Sequence, residues 1–459
     1  MKRPLANTAK PFSTPYWLLI LSYSFLYVRW QDIIPGIGAT RIVGILGYGL
    51  LIWFLVKGDR TVITREPLLK YAFIFLGLMA VSVLWAAHTS VIYTTQYVAL
   101  LLLSYSAPLV FLLRGDWQRT VVFFRYWVLI QLLVALWALR MHGVGGGDFL
   151  ADENDLSLAM CMALPYPLYL MSMNGCPAGW RLVCYLAVVA IIAVIMVSFS
   201  RGGFVGMVAV TAVMWVFSKK KGRNLGIALA VVVFGGGLIS QMIPASYRNR
   251  LDSMFDPQNS TRVERLRSWE IARIMWAHNP ILGVGAAQFP WNAKNYERMT
   301  SYWIDADHTK SLDGRQVHSL YFSLLPDMGL VGCTVWLIMV LALVRYMIVV
   351  IRTSDKLARG PPPGLKKAKA PPPTVAPEER ARIDDCALLA KAILCSLAGF
   401  LVSGAFISVA YYPHIWLLVG FATVVKIHGA LRDPAQETVA ALQPRKRSYI
   451  ARPGLRARG

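Results

Sequence analysis

An arginine lies in a very short connection between two apolar stretches, within the segment 198–203, SFSRGG. The two glycines directly after Arg201 add little bulk and leave backbone N–H groups free at a helix N-terminus, an arrangement that suits a phosphate. An arginine between apolar stretches either extends its charge to the water interface or faces an internal cavity. Arg201 is therefore a candidate anion ligand, and an interfacial arginine is the alternative.

A second group of candidate residues lies on a predicted helix. Thr261 and Glu264 have the spacing of a capping box, which predicts a helix over 262–278. Arg265, Trp269 and Arg273 follow one another at intervals of four residues and would lie on one stripe of that helix. The stripe suits contact with a substrate anion, or a helix that lies on lipid headgroups.

The third candidate is His318, where a polar stretch meets an apolar one. A neutral imidazole can accept a proton near pH 7, as a general base must. A hydrogen-bonded structural histidine is the alternative. Asp327, nine residues later, is either an interfacial charge or a partner that orients the imidazole.

The elements that must position these residues are membrane-spanning helices. Of the 459 residues, 56% are hydrophobic and only 15% are charged, whereas a soluble domain has about 25% charged residues. Many apolar stretches have the length of about 20 residues that crosses a hydrocarbon core. The sequence predicts an all-α polytopic membrane protein with about 12 spans, near 16–30, 37–56, 68–86, 91–113, 120–140, 156–172, 182–199, 202–218, 225–243, 329–351, 387–408 and 412–429.

The net charge of +23 predicts the orientation of those spans. Of the 47 lysines and arginines, 28 fall in the N-terminus, the C-terminus and the connections on one side, whereas the short connections on the other side hold only Arg201. The positive-inside rule therefore places both termini in the cytoplasm. Because most of the positive charge marks topology, it does not indicate a nucleic-acid partner.

The spans divide the chain into four predicted regions. They are transmembrane helices 1–9 (1–243), a large extracytoplasmic loop with helices (244–318), transmembrane helices 10–12 (319–430) with a cytoplasmic Pro/Lys-rich insertion (352–386), and a basic cytoplasmic tail (431–459). The cytoplasmic connections contain neither a P-loop nor a GxGxxG motif, which argues against a nucleotide-dependent site there. No CxxC or HxxxH spacing indicates zinc.

Taken as a set, the three candidate segments resemble the O-antigen ligase and O-antigen polymerase superfamily, which comprises bacterial lipid-linked glycan ligases and O-oligosaccharyltransferases. The resemblance covers residues 195–345. It is carried by the Arg201 connection, by the helix with Arg265 and Trp269 followed by NPxxGxG at 279–285, and by HSxYF at 318–322 leading to GLxG at 329–332. Asp327 departs from the pattern, since the family often has a glutamate there.

The resemblance implies a GT-C-like enzyme of the bacterial inner membrane whose active site faces the periplasm. It would transfer a preassembled glycan from undecaprenyl pyrophosphate to an acceptor hydroxyl, inverting the anomeric centre, with no metal and no cofactor. His318 would be the base, and Arg201 and Arg265 would clamp the pyrophosphate. The residues predicted to bind substrate less directly are Arg140, Arg29, Arg41, Asp327 and Trp269.

The acceptor is the least determined part of this prediction. The main hypothesis is an O-antigen ligase that acts on lipid A–core oligosaccharide. An O-linked oligosaccharyltransferase acting on protein Ser/Thr and an O-antigen polymerase share the chemistry and remain alternatives. A secondary transporter is the alternative from another class, but polar groups that collect at one membrane face favour a one-sided active site. Besides donor and acceptor, the expected partners are membrane lipids, and no nucleic acid is expected.

Overall fold

The computed structural model describes residues 13–222, 226, 260–301, 303, 311–359 and 375–431. Backbone contacts make 1–429 one compact unit, and of the second unit, 430–459, only Ala430 and Leu431 are described. Every regular element in the described part of the chain is helical, which confirms the all-α prediction.

Seventeen helices are described in those residues, together with short 3-10 turns at Gly38–Thr40 and Asp148–Leu150 and a π-helical segment at Leu101–Ser106. In chain order they are α1 (Thr14–Val28), α2 (Trp30–Ile33), α3 (Ile42–Lys57), α4 (Thr61–Arg65), α5 (Pro67–Ser82), α6 (Ser90–Leu100), α7 (Ala107–Leu113), α8 (Trp117–Arg140), α9 (Glu153–Ala163), α10 (Pro165–Leu170), α11 (Ala178–Val197), α12 (Arg201–Phe217), α13 (Ser260–His278), α14 (Phe289–Glu297), α15 (Leu320–Arg359), α16 (Pro377–Gly404) and α17 (Pro413–Gly429).

Six helical segments in the described residues are long and apolar enough to cross a bilayer: Gly38–Lys57, Ser90–Leu113, Trp117–Arg140, Ala178–Val197, Leu320–Arg359 and Pro377–Gly404. Three shorter apolar helices, α1, α5 and α12, accompany them. The protein is therefore a multi-pass membrane protein. The total of twelve spans and the cytoplasmic termini stay predictions, and the predicted span at 225–243 lies outside the described residues except for Gly226.

Predicted boundaries differ from the structure in several places, and two of the differences change how a whole segment is divided. The single span predicted at 156–172 is divided into α9 and α10 at Leu164, because Pro165 and Pro167 supply no N–H group for the helical hydrogen bonds. The insertion predicted at 352–386 is helical at both ends, since α15 continues to Arg359 and α16 begins at Pro377. The Pro/Lys-rich centre, 360–374, and the basic tail after Leu431 lie outside the described residues.

The helix α15 is kinked near its beginning, and a short strap of backbone, residues 280–285, fills the kink. Gly329 has a φ of 58°, and a Cβ atom there would lie 2.4 Å from the carbonyl oxygen of Ile281. The backbone N–H of Leu330 donates to the carbonyl of Pro280 (2.9 Å), and the N–H of Val284 donates to that of Pro326 (2.9 Å). The glycine motifs at 283–285 and 329–332 therefore join α13 to α15.

Glycines also let α12 approach its neighbours closely. A Cβ atom on Gly203 would lie 2.3 Å from the Cβ of Ser157 on α9. The hydroxyl of Ser403 on α16 donates to the carbonyl of Gly202 over 3.0 Å. The two glycines after Arg201 thus seat the first turn of α12 between α9 and α16.

Candidate active site

Arg201 is the first residue of α12, and its position is set by the residue before it. The hydroxyl of Ser200 accepts the backbone N–H of Gly203 (3.0 Å) as an N-cap and donates to the side-chain oxygen of Asn154 (2.8 Å). The Gly203 N–H predicted to be free for a phosphate is therefore occupied. The Arg201 side chain is exposed and makes no hydrogen bond or ion pair within the described part of the chain.

The beginning of α9 is held beside this turn. The hydroxyls of Ser157 and Ser198 are 2.5 Å apart in a buried contact. Asp152 caps α9, because its carboxylate accepts the N–H of Asn154 over 2.7 Å. These bonds place a carboxylate next to the connection that carries Arg201.

Arg265 lies in the second turn of α13 and is partly buried. Its Nε atom is buried and has no hydrogen-bond partner among the described residues. One turn later, the ring of Trp269 stacks on Phe322 of α15, with centroids 5.2 Å apart and planes 14° from parallel. Trp269, predicted to bind substrate, thus fastens α13 to α15, and its contact with substrate stays a prediction.

The electrostatic surroundings of Arg265 connect it to Arg201. Burial lowers the pKa of the Arg265 guanidinium, the positive charge of Arg201 lowers it further, and Asp152 opposes both effects. Arginine stays protonated in proteins despite such shifts. The structure therefore brings two cations close enough to repel each other, with one carboxylate nearby.

His318 precedes α15 in a left-handed conformation, with a φ of 53°. An ion pair of 2.9 Å between Arg315 and Glu264 ties its loop to the helix that carries Arg265. Desolvation by the surrounding protein, followed by the Arg265 cation, lowers the pKa of His318, while Asp152 and Glu264 oppose that shift. The imidazole is therefore neutral at pH 7, in the form that accepts a proton.

Three segments that are distant in sequence thus converge: the start of α12, the second turn of α13 and the loop just before α15. They bring together Arg201, Arg265 and His318, and Asp152 lies near the last two. Two guanidinium groups can hold an anion with several oxygens through paired N–H bonds. A neutral imidazole beside them can take a proton from a hydroxyl that reacts there.

Asp327 lies in α15 and is 1% exposed. Its carboxylate oxygens accept the backbone N–H groups of Ala287, Gln288 and Phe289, and the hydroxyl of Tyr411. The side chain therefore caps the beginning of α14. Its predicted contact with substrate, or with the imidazole of His318, stays a prediction.

The three remaining arginines that were predicted to bind substrate have different surroundings. Arg29 pairs with Asp32 over 2.7 Å and packs against Gly146. Arg140 is exposed and lies over the ring of Trp137, 5.9 Å from its centroid. Arg41 is exposed between the first 3-10 turn and α3, with a φ of 50°. Their roles in binding substrate stay predictions.

Two side-chain contacts at the site were not predicted from the sequence. The first is the cap that Asp152 forms on α9. An aspartate just before an apolar stretch is typical of an N-cap, and that signal could have indicated it. The hydroxyl of Tyr412 donates to Asp155 over 3.3 Å. No local pattern indicates this contact, because 257 residues separate the two positions.

A comparison with protein families finds a match for part of the chain. Residues 186–337 match a family model described as O-Antigen ligase. The matched segment contains Arg201, Arg265, Trp269, His318 and Asp327 and confirms the resemblance that their motifs predicted. No curated protein matches the chain.

Proposed function

We propose that this chain, a multi-pass membrane protein with an O-antigen ligase domain at residues 186–337, is a glycosyltransferase of the bacterial inner membrane. It transfers a preassembled glycan from undecaprenyl pyrophosphate to a hydroxyl of lipid A–core oligosaccharide, on the periplasmic side. The reaction inverts the anomeric centre and needs neither a metal nor a cofactor. The observation that carries the proposal is the convergence of Arg201, Arg265 and His318.

The two arginines suit the leaving group. As the glycan departs, negative charge collects on the pyrophosphate, and preorganised cations stabilise that charge best where water is partly excluded. Arg265 fits this role because its buried Nε has no partner among the described residues. Arg201 supplies a second fork-shaped donor that is not engaged by another described side chain.

His318 suits the acceptor. In the proposed step, the acceptor oxygen forms a bond to the anomeric carbon while the bond from that carbon to the phosphate oxygen breaks. The acceptor proton passes to the neutral His318 imidazole, and the electron pair leaves with the pyrophosphate. Asp152 and Glu264 lie where their negative charge stabilises the imidazolium that forms.

The test is reconstitution of the purified protein in vesicles with a glycan linked to undecaprenyl pyrophosphate. Three acceptors are supplied separately: lipid A–core, a pilin-like protein and a second lipid-linked glycan. We expect transfer to lipid A–core. Transfer only to the protein or only to the lipid-linked glycan would identify the chain as an oligosaccharyltransferase or a polymerase, and transfer to none would contradict the reaction class.

The His318→Ala variant tests the base in the same assay. We expect it to lose transfer while its amount in the membrane is unchanged. The matched control is His278→Ala at the exposed end of α13, whose ring lies within hydrogen-bond distance of the Ile274 carbonyl of its own helix and near the ring of Tyr296. Full transfer by His318→Ala would remove His318 as the base.

A further inference from the structure

A cavity of about 350 Å³ lies beside the proposed site. It is bounded by α6, the start of α14, the residues on both sides of His318 and the connection between α16 and α17. Its lining residues are Tyr93, Thr94, Tyr97, Ala287, Phe289, Pro290, Gln316, Ser323, Asp327, Ser408, Tyr411 and Tyr412. The volume falls within the range of roughly 300–1,000 Å³ for small-molecule sites.

The lining of the cavity includes residues that flank the proposed base in sequence, whereas His318 itself is not part of the lining. Gln316 lies two residues before His318, and Ser323 follows it in the beginning of α15. On the far wall, the hydroxyl of Tyr412 donates to Asp155 of α9 (3.3 Å), close to the Asp152 cap. A ligand in the cavity would therefore reach the reacting atoms from the side of His318.

The walls do not suit a phosphate. Among the described lining residues there is no lysine or arginine, and the single charged side chain, Asp327, already accepts four hydrogen bonds. The pyrophosphate belongs instead beside Arg201 and Arg265, outside this lining. The cavity is thus suited to a neutral group.

Aromatic rings and uncharged polar groups dominate the lining. Four tyrosines contribute rings that can pack on the apolar surfaces of a ligand, and their hydroxyls can form hydrogen bonds. Tyr93 is 71% exposed, and neither its hydroxyl nor the exposed side chain of Gln316 has a hydrogen-bond partner within the described part of the chain. Rings edged by hydroxyl and amide groups match a sugar, which has both apolar faces and many hydroxyls.

We infer that this cavity binds the terminal sugar rings of the acceptor. The inference rests on the proposed function, because His318 must contact the acceptor hydroxyl while the two arginines hold the donor. Since residues on both sides of His318 in sequence line the cavity, and the described lining contains no cation, the saccharide in it is that of the acceptor and not the lipid-linked donor.

The first experiment measures transfer kinetics with donor and acceptor varied separately. We expect Tyr93→Ala and Gln316→Ala each to raise the acceptor KM by roughly threefold to tenfold, with the donor KM and kcat unchanged. Tyr93→Phe, which keeps the ring, should raise it less than Tyr93→Ala. The matched control is Tyr185→Ala on α11, a tyrosine that is 59% exposed and does not line the cavity.

Two kinetic outcomes would overturn the inference while leaving the proposed function intact. One is an unchanged acceptor KM in Tyr93→Ala and Gln316→Ala. The other is a raised donor KM with an unchanged acceptor KM, which would assign the cavity to the donor glycan.

A binding measurement tests the cavity separately from catalysis. The probe is core oligosaccharide released from lipid A, observed by ligand-detected NMR with the full-length protein in detergent. We expect binding to the inactive His318→Ala variant and weaker binding when Tyr93→Ala is added to it. Equal binding by both would contradict the cavity assignment, even if the protein transferred no glycan.

Discussion

The buried carboxylate of Asp327 accepts the backbone N–H of Phe289, the first residue of α14, over 2.9 Å. The N–H groups of Ala287 and Gln288 and the hydroxyl of Tyr411 donate to the same carboxylate. A single side chain thus satisfies the unpaired donors at the beginning of one helix and holds them against a membrane-spanning helix.

Replacement of Asp327 by asparagine should destabilise the protein. The amide offers one acceptor oxygen in place of two, so at least one of the three N–H groups loses its partner, at a cost of about 1–3 kcal/mol. We expect a lower midpoint of thermal unfolding in detergent. Asp313→Asn is the control, because the exposed Asp313 side chain forms a long ion pair of 3.8 Å with Lys294 and caps no helix within the described part of the chain. Equal midpoints for the two variants would contradict the capping role.

The pH dependence of transfer should follow the protonation of His318. The base must be neutral, so kcat/KM falls as the pH drops through the pKa of His318. Desolvation and Arg265 lower that pKa. The acid limb, which is the fall of kcat/KM on the acidic side of the pH profile, therefore lies below the ordinary histidine value of about 6.5.

Substitution of the exposed Arg315 should shift the pH at which transfer falls on the acid side. Arg315→Gln removes a cation near His318 and frees Glu264 from its ion pair. Both changes raise the pKa of His318, so the acid limb should shift to higher pH. Arg298→Gln, an exposed arginine outside this set of charges, should leave the profile unchanged. A shift to lower pH in Arg315→Gln would contradict the assignment of the limb to His318.

Lysine should not replace either arginine of the proposed pyrophosphate site. A lysine keeps the charge but loses the fork that bonds two oxygens at once. Arg201→Lys and Arg265→Lys should each lower kcat/KM for the donor by about tenfold to a hundredfold. The control is Arg298→Lys, an exposed arginine that follows α14. Wild-type rates in both lysine variants would show that charge alone is enough.

Gly203 should tolerate no side chain. Its Cβ atom would lie 2.3 Å from the Cβ of Ser157, and such overpacking costs about 1–3 kcal/mol. Gly203→Ala should therefore unfold at lower temperature and use the donor poorly, because Arg201 is two residues away. Gly77→Ala in α5 has open space around it and should unfold no earlier than the unaltered protein. Normal donor use by a stably folded Gly203→Ala variant would show that this packing does not determine the position of Arg201.

Removal of divalent metals should not stop transfer, because Arg201 and Arg265 supply the positive charge that a metal would otherwise bring to the pyrophosphate. The assay is glycan transfer by the reconstituted protein with a chelator present. Loss of transfer that added Mg²⁺ restores would contradict the role of the two arginines.

Local patterns predicted the parts of the fold that depend on local chemistry. The capping-box spacing predicted a helix over 262–278, and α13 covers Ser260–His278. The proline pair at 165 and 167 was also visible, but the apolar composition around it led to one predicted span where the structure has two helices. Hydrophobicity detects the stretch, whereas the break depends on backbone N–H groups that proline lacks.

The surroundings of the candidate residues required the tertiary structure. The family motifs indicated Arg201, Arg265 and His318 as a set, but their proximity depends on contacts between distant segments, such as the strap at 280–285 that joins α13 to α15. For Asp327 the sequence indicated a role in the site, whereas the structure shows a structural contact. As a lone carboxylate near a histidine it resembled a substrate ligand, and only the folded backbone shows the three N–H groups that point at it.

The contacts around Arg265 have a mechanical consequence. Trp269 stacks on Phe322, and Glu264 pairs with Arg315, so two contacts hold the helix of Arg265 against the segment of His318. Arg201 is held by different contacts, since Ser200 bonds to Asn154 of α9 and Gly202 to Ser403 of α16. A substitution that loosens the Trp269–Phe322 stack should therefore change the spacing between the base and one cation while the seat of the other cation stays intact.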